Sequence, residues 1–209
     1  MSALLGTKAT WYLMRGSGFV AFVLLTITVC VGIANLSRWQ RGGWTRTATA
    51  FVHRNVSLLA VVFLAVHIAT ALSDKYVSIP LSAIFVPGTS GYDPLWIGLG
   101  ALAIDAMLAV LVTSLVRAHL GHRLWRAVHW LAYVSWPVAF VHSVGSATGN
   151  GVDTGHVWST AIYVVTGVAF LSAVAVRLRL RSRPSMPEPA PSRRVPALAG
   201  TASNARSTL

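Results

Sequence analysis

Apolar residues along this chain gather into five long runs separated by short polar links. A membrane-spanning helix needs about 20 mostly apolar residues, and the runs 17–36, 53–72, 95–116, 124–144 and 157–176 each reach that length. Polar interruptions are few: Arg54 near the start of the second run, Asp105 in the third, Arg126 and Pro137 in the fourth. The one long link, 73–94, holds a small apolar piece, 77–86, punctuated by Pro80 and Pro87. That piece is too short to span, so it is expected on the surface or partly re-entrant. The pattern predicts an all-α, integral membrane helical bundle of about five transmembrane helices.

Composition and charge sharpen this picture. Charged residues make up 11% of the 209, against roughly 25% in a soluble domain, and hydrophobic residues make up 55%. The formal net charge of +12 on so apolar a chain points to a membrane surface and not to nucleic acid. The single cysteine, Cys30, lies inside an apolar run, which excludes a disulfide scaffold and any zinc site built on cysteine pairs.

Fourteen of the 17 basic residues fall on alternate links: Arg38, Arg41, Arg46 and Arg54; Arg117, Arg123 and Arg126; and Arg177, Arg179, Arg181, Arg183, Arg193, Arg194 and Arg206. Lys8, Arg15 and Lys75 occupy the other side, with Asp74, Asp93 and Asp153. The positive-inside rule then predicts a multi-pass protein of the cell membrane with its N-terminus outside and its C-terminus in the cytoplasm. Basic residues directly after the first run favour its retention as a span over cleavage as a signal peptide. The chain divides into an extracytoplasmic segment at 1–16, a membrane domain at 17–180 and a basic, Pro/Ser-rich tail at 181–209 that is expected to be disordered and to lie on anionic headgroups.

Chemistry resides in the histidines. Ionisable groups within a span are expensive and mark function. His53 and His67 belong to the second run, His129 and His142 to the fourth. The first two are 14 residues apart, about 21 Å along a helix and close to four full turns, so both rings share a face. The second two are 13 apart, which on an ideal helix is a rotation of roughly 220° and the wrong face. Pro137 lies between them and is expected to kink the helix and return His142 to the facing side. Spans two and four run in the same direction, so His53 should meet His129 at the cytoplasmic level and His67 should meet His142 at the outer level. Two imidazoles facing across a bundle core clamp one planar iron porphyrin. Two such pairs make a ladder for electrons across the hydrocarbon. His119 and His122 belong to the basic link and are expected to be solvated, as is His156 at the start of the last run.

These residues resemble the ferric reductase-like transmembrane domain, the haem-bearing membrane part shared with NADPH oxidases and related to the membrane haem subunit of methionine sulfoxide reductase. The resemblance covers residues 11–180. It is carried by Trp11-Tyr12 with Arg15-Gly16-Ser17-Gly18, by His53-Arg54 through Val66-His67, by Pro94-Leu95-Trp96-Ile97-Gly98-Leu99-Gly100, and by Leu124 to Trp130 through Pro137 to Val141-His142. It implies two b-type haems held between spans two and four and ligated through their iron by His53, His67, His129 and His142. It also implies electron transfer across the membrane. Full-length oxidases carry a cytoplasmic flavin and nicotinamide domain, where a disordered tail is expected in this sequence, and family members often have six spans where five are read here. An external flavoprotein or quinol is therefore the expected donor, with an extracytoplasmic acceptor or reductase subunit as the other partner.

Arg54, with Arg46 and Arg126, is placed to pair with haem propionates at the inner level, since arginine forks match carboxylates; Arg15 is placed likewise at the outer level. Asp105 is expected to hydrogen-bond inside the bundle. Trp96, Trp125, Trp130, Trp136 and Trp158 fit an interfacial belt. Two other readings stay open: a quinol-linked cytochrome b subunit of another reductase, and a non-redox transporter or scaffold in which the histidines relay protons or pack.

Overall fold

The computed structural model describes residues 2–36, 45–74, 77–148 and 157–182. They form six α-helices: α1 (Ser2–Leu36), α2 (Arg46–Ser73), α3 (Pro94–Leu115), α4 (His122–His129), α5 (Leu131–Thr148) and α6 (Val157–Arg181). Four stretches are long and apolar enough to cross a membrane: Ala9–Asn35, Arg46–Ser73, Pro94–Leu115 and Val157–Leu180. In lipid each backbone N–H and C=O must be satisfied within the segment, and the helix is the form that does so for a single span. The chain is a multi-pass helical membrane protein.

The ends of the helices follow local chemistry. Thr45 caps α2 by accepting a hydrogen bond from the Ala48 N–H at 3.1 Å. Pro94 opens α3, where its missing N–H is no loss. Helix α1 reaches back to Ser2, whereas the sequence predicted a separate segment over 1–16. Those residues hold no proline and include Ala3, Leu4, Leu5, Ala9 and Met14, good helix formers that let the helix run on. At its other end α6 carries Arg177 and Arg179 on regular helix, so the first basic residues assigned to the cytoplasmic side extend the span. The apolar piece at 77–86 does not span: it forms a 3₁₀ turn, Leu81–Ile84, that buries Ala83 against α3 and leaves Leu81 and Phe85 exposed. Residues 37–44, 75–76, 149–156 and 183–209 lie outside the described residues. Among them are Arg38, Arg41, Lys75, Asp153, His156 and the tail from Arg183, whose expected places are not described here.

The fourth run differs most from expectation. It is not one kinked helix but two, α4 and α5, divided at Trp130. At the division the Trp130 N–H is shared between Arg126 O and Ala127 O, both at 3.3 Å, and the Tyr133 N–H reaches Trp130 O at 3.0 Å. Each such i→i+3 step turns the chain about 20° more than an α-helical step. Pro137 lies inside α5.

Helix α1 is the centre of the bundle. It packs against α2, α5 and α6, while α3 packs against α5. Phe22, Leu25, Val29 and Ile33 of α1 build the core with Trp136 of α5 and Tyr163 and Phe170 of α6. The Trp136 indole is buried, lies parallel to the Phe170 ring at 3.9 Å, and donates its N–H to Thr26 Oγ1 at 2.8 Å. Trp136 therefore belongs to the core and not to an interfacial belt. A buried indole needs a partner for its N–H, and Thr26 on α1 is that partner. Of the five tryptophans assigned to the belt, Trp130 and Trp158 are exposed. Exposed Phe51, Leu58, Leu59 and Val62 on α2 and Val164, Val165, Val168 and Leu171 on α6 are the surfaces left to lipid.

Candidate functional site

Helix α2 takes α1 as its packing partner and α5 takes α3. Two pairs of imidazoles face each other across the space between α2 and the α4–α5 segment. The His53 and His129 rings stand 6.4 Å apart, centroid to centroid, and the His67 and His142 rings 6.5 Å apart. The cross-helix pairing is the one expected from two parallel spans. Both Trp130, where α4 and α5 meet, and Pro137, inside α5, lie between His129 and His142.

Three of the four rings are oriented by a backbone carbonyl. His67 Nδ1 donates to Met14 O at 2.7 Å, His53 Nδ1 to Thr28 O at 3.0 Å, and His142 Nδ1 to Trp96 O at 2.7 Å. With the proton committed to Nδ1, each of these rings keeps Nε2 as its free lone pair. This is the arrangement that orients an imidazole as a metal ligand.

The local sequence explains why those carbonyls are reachable. In a helix every Cα–Cβ bond tilts toward the N-terminus, so the side chain at i+4 covers the carbonyl of residue i. Each of the three acceptors is followed four residues later by glycine: Met14 by Gly18, Thr28 by Gly32, Trp96 by Gly100. A Cβ at Gly18 would stand 2.8 Å from His67 Nδ1, one at Gly32 3.1 Å from His53 Cε1, and one at Gly100 2.8 Å from His142 Cε1. The two anchors on α1 are 14 residues apart, as are Gly18 and Gly32, matching the 14-residue separation of His53 and His67 on the antiparallel α2. The Gly18–Gly32 spacing was legible in the sequence and was missed; the carbonyls themselves leave no side-chain signature.

His129 differs. Its Nδ1 is buried with no hydrogen-bond partner, and its ring is stacked on Trp125 at 5.0 Å. Arg117 lies over the Trp125 ring at 4.7 Å, and Arg177 lies over Trp130 at 4.7 Å. Both guanidinium groups are electrostatic neighbours of His129.

A cavity of about 1150 Å³ surrounds the His67–His142 pair. Arg15 is on its wall, as are Asp74 and Asp93. Arg54 is exposed, its guanidinium 5.6 Å from the Phe51 ring centre. Arg46 is exposed as well. Arg126 is exposed and donates to His122 Nε2 at 2.8 Å, within the first turns of α4; His119 is also exposed. Asp105 is half-buried on α3. Trp96 and Trp125 are drawn into the site rather than the belt, the first through its carbonyl and its ring contact with Gly145, the second through its stack on His129.

The family model for the ferric reductase-like transmembrane component matches residues 17–140. The chain belongs to the ferric reductase-like transmembrane family. No curated protein and no solved structure matches it. The matched residues include three of the four facing histidines, with His142 two residues past the match. Membership in this family associates the ferric reductase-like chain with electron transfer across a membrane.

The ring separations test whether a metal fits between the pairs. An imidazole nitrogen sits about 2 Å from a bound transition metal and its ring centre roughly 1.1 Å behind, so two trans ligands stand about 6.3 Å apart. The observed 6.4 and 6.5 Å agree. Among the described residues no group of three or more His, Cys, Asp or Glu side chains gathers to hold a bare ion. A facing pair of imidazoles with no third protein donor would fit an iron porphyrin rather than a bare ion, with the two histidines of each pair holding it.

Proposed function

We propose that this ferric reductase-like chain is a di-haem cytochrome b that carries electrons through the membrane. The observation that carries this reading is the two facing imidazole pairs, each at the separation of two trans ligands on one metal. His53 with His129, and His67 with His142, would each hold one haem. When bound, each haem supplies one-electron ferric–ferrous chemistry. The protein supplies orientation and environment: Met14, Thr28 and Trp96 fix three tautomers, and the glycines let the rings approach. The two levels are about 21 Å apart along the helix axis, so each pair serves one side of the membrane.

The asymmetry of basic residues supports an outside N-terminus and an inner His53–His129 level. Electrons then come from a cytoplasmic flavoprotein or a membrane quinol and leave to an extracytoplasmic acceptor or reductase subunit. Arg15, on the cavity wall, is the cation for carboxylates at the outer level; Arg54, adjacent to His53, is the candidate at the inner rim. The test is the haem content of the purified protein by pyridine haemochrome against protein mass. Two b-type haems per chain are expected. A value near zero would overturn the reading, and a value near one would remove one histidine pair from it.

A further inference from the structure

Three buried side-chain nitrogens at the end of the bundle that carries His129 have no hydrogen-bond partner: Trp125 Nε1, His129 Nδ1 and Arg177 Nε. Indole and guanidinium nitrogens only donate, so the first and last lack an acceptor. Asn35 Oδ1, at the same end of α1, is itself unpartnered and serves none of them. Among the described residues no carboxylate stands at this end. Asp74 and Asp93 are on the wall of the His67–His142 cavity, and Asp105 is in the middle of α3, about 15 Å along the axis from its last residue. The cations are held by rings instead. Arg117 lies over Trp125 at 4.7 Å; Arg177 lies over Trp130 at 4.7 Å and over Tyr133 at 5.4 Å. Both are electrostatic neighbours of His129. Guanidinium groups gathered without a counter-charge repel one another, and orphaned buried donors are costly. An anion that accepts hydrogen bonds relieves both.

We propose that Arg117 and Arg177 clamp the phosphate of an anionic membrane lipid at the junction of α4 and α5. Arg117 comes from the 3₁₀ turn Arg117–His119, Trp125 from α4 and Arg177 from the end of α6. Arginine forks match phosphate oxygens. Arg117 and Trp130 are exposed, so the cluster opens to the surface of the bundle. The flanking side chains select a lipid over a free phosphate. Val176 and Leu178 adjoin Arg177 in sequence, Leu131 adjoins Trp130 and Val134 adjoins Tyr133, and all four are exposed apolar groups. They offer an acyl chain a seat beside the headgroup, as basic pockets between membrane helices do. Helix α6 packs mainly on α1, so the clamp fastens its end to the segment that carries His129.

The experiment uses the full chain purified in a neutral detergent, phosphatidylglycerol as the probe, and native mass spectrometry to count bound lipid. One phosphatidylglycerol per chain should be retained under conditions that strip phosphatidylcholine. Arg117→Gln with Arg177→Gln should weaken retention at least about tenfold. Arg123→Gln with Arg179→Gln removes the same charge from exposed side chains elsewhere on α4 and α6 and should leave retention unchanged. Equal weakening by the two pairs would reduce the site to diffuse attraction by a basic surface and overturn it. Displacement by glycerol 3-phosphate at the lipid's own concentration would overturn it too, by making the ligand a soluble phosphate. If the Arg177 variant loses its helical circular dichroism, Trp125→Phe takes its place: it keeps the ring, deletes the N–H donor and should weaken retention roughly 3- to 10-fold. Unchanged retention in that variant would overturn the inference. The site requires no haem, so a failed haem count leaves this outcome untouched.

Discussion

Replacing Gly18 by alanine sets two effects of opposite sign against each other. Alanine in a helix interior is favoured over glycine by about 1 kcal/mol. The added Cβ, however, would stand 2.8 Å from His67 Nδ1 and 3.0 Å from Cε1, where carbon contacts settle near 3.5 Å. The ring must retreat by roughly 0.7 Å. That stretches the 2.7 Å bond to Met14 O to roughly 3.4 Å, beyond the range of a sound hydrogen bond. An orphaned buried donor costs about 1–3 kcal/mol. Gly16→Ala is the internal control, because nothing lies within 4 Å of a Cβ at that position. The propensity gain cancels between the two variants. Gly18→Ala should therefore be less stable than Gly16→Ala by about 1–3 kcal/mol, with a selective loss of the haem held by His67 and His142. The assay is thermal loss of the Soret band in detergent, with haem counted per chain. Equal melting of the two variants, with two haems retained in each, would refute the argument that glycine opens the carbonyl to His67.

Further expectations concern other parts of the bundle. Trp136→Phe keeps the parallel contact with Phe170 but deletes the N–H donor to Thr26, and should destabilise by about 1 kcal/mol in thermal unfolding with haem content unchanged. Thr26→Val leaves the buried indole N–H without its acceptor and should cost about 1–3 kcal/mol, no less than Trp136→Phe in the same assay. A cytoplasm-active reporter fused after Leu209 should be active and an extracytoplasmic one silent; the reverse would exchange the inner and outer levels. Thr45→Ala, which removes the α2 cap, should cost about 1 kcal/mol by the same melting assay.

The sequence made the apolar runs, the parallel direction of the second and fourth, and the His53–His67 register legible, because helical rise and period depend on spacing alone. It was less informative where side-chain identity does not report backbone geometry. Pro137 was readable as a residue between His129 and His142 with the power to kink, whereas the division of the fourth run at Trp130 has no such signature. Trp136 read as interfacial because tryptophan is common there; only the position of Thr26 opposite it explains its burial. The anchoring of the histidines was half legible. Gly18 and Gly32 repeat the 14-residue spacing of the histidines they admit, but which carbonyl they uncover depends on α1 and α2 packing antiparallel.

The central claim is that His53 with His129, and His67 with His142, each hold one haem. Its most direct test is haem counting and visible spectra on paired alanine substitutions. His67→Ala with His142→Ala, and His53→Ala with His129→Ala, should each retain one haem with complementary spectra, while His53→Ala with His142→Ala should retain none. Retention of one haem in that last variant, together with none in either of the first two, would contradict the pairing.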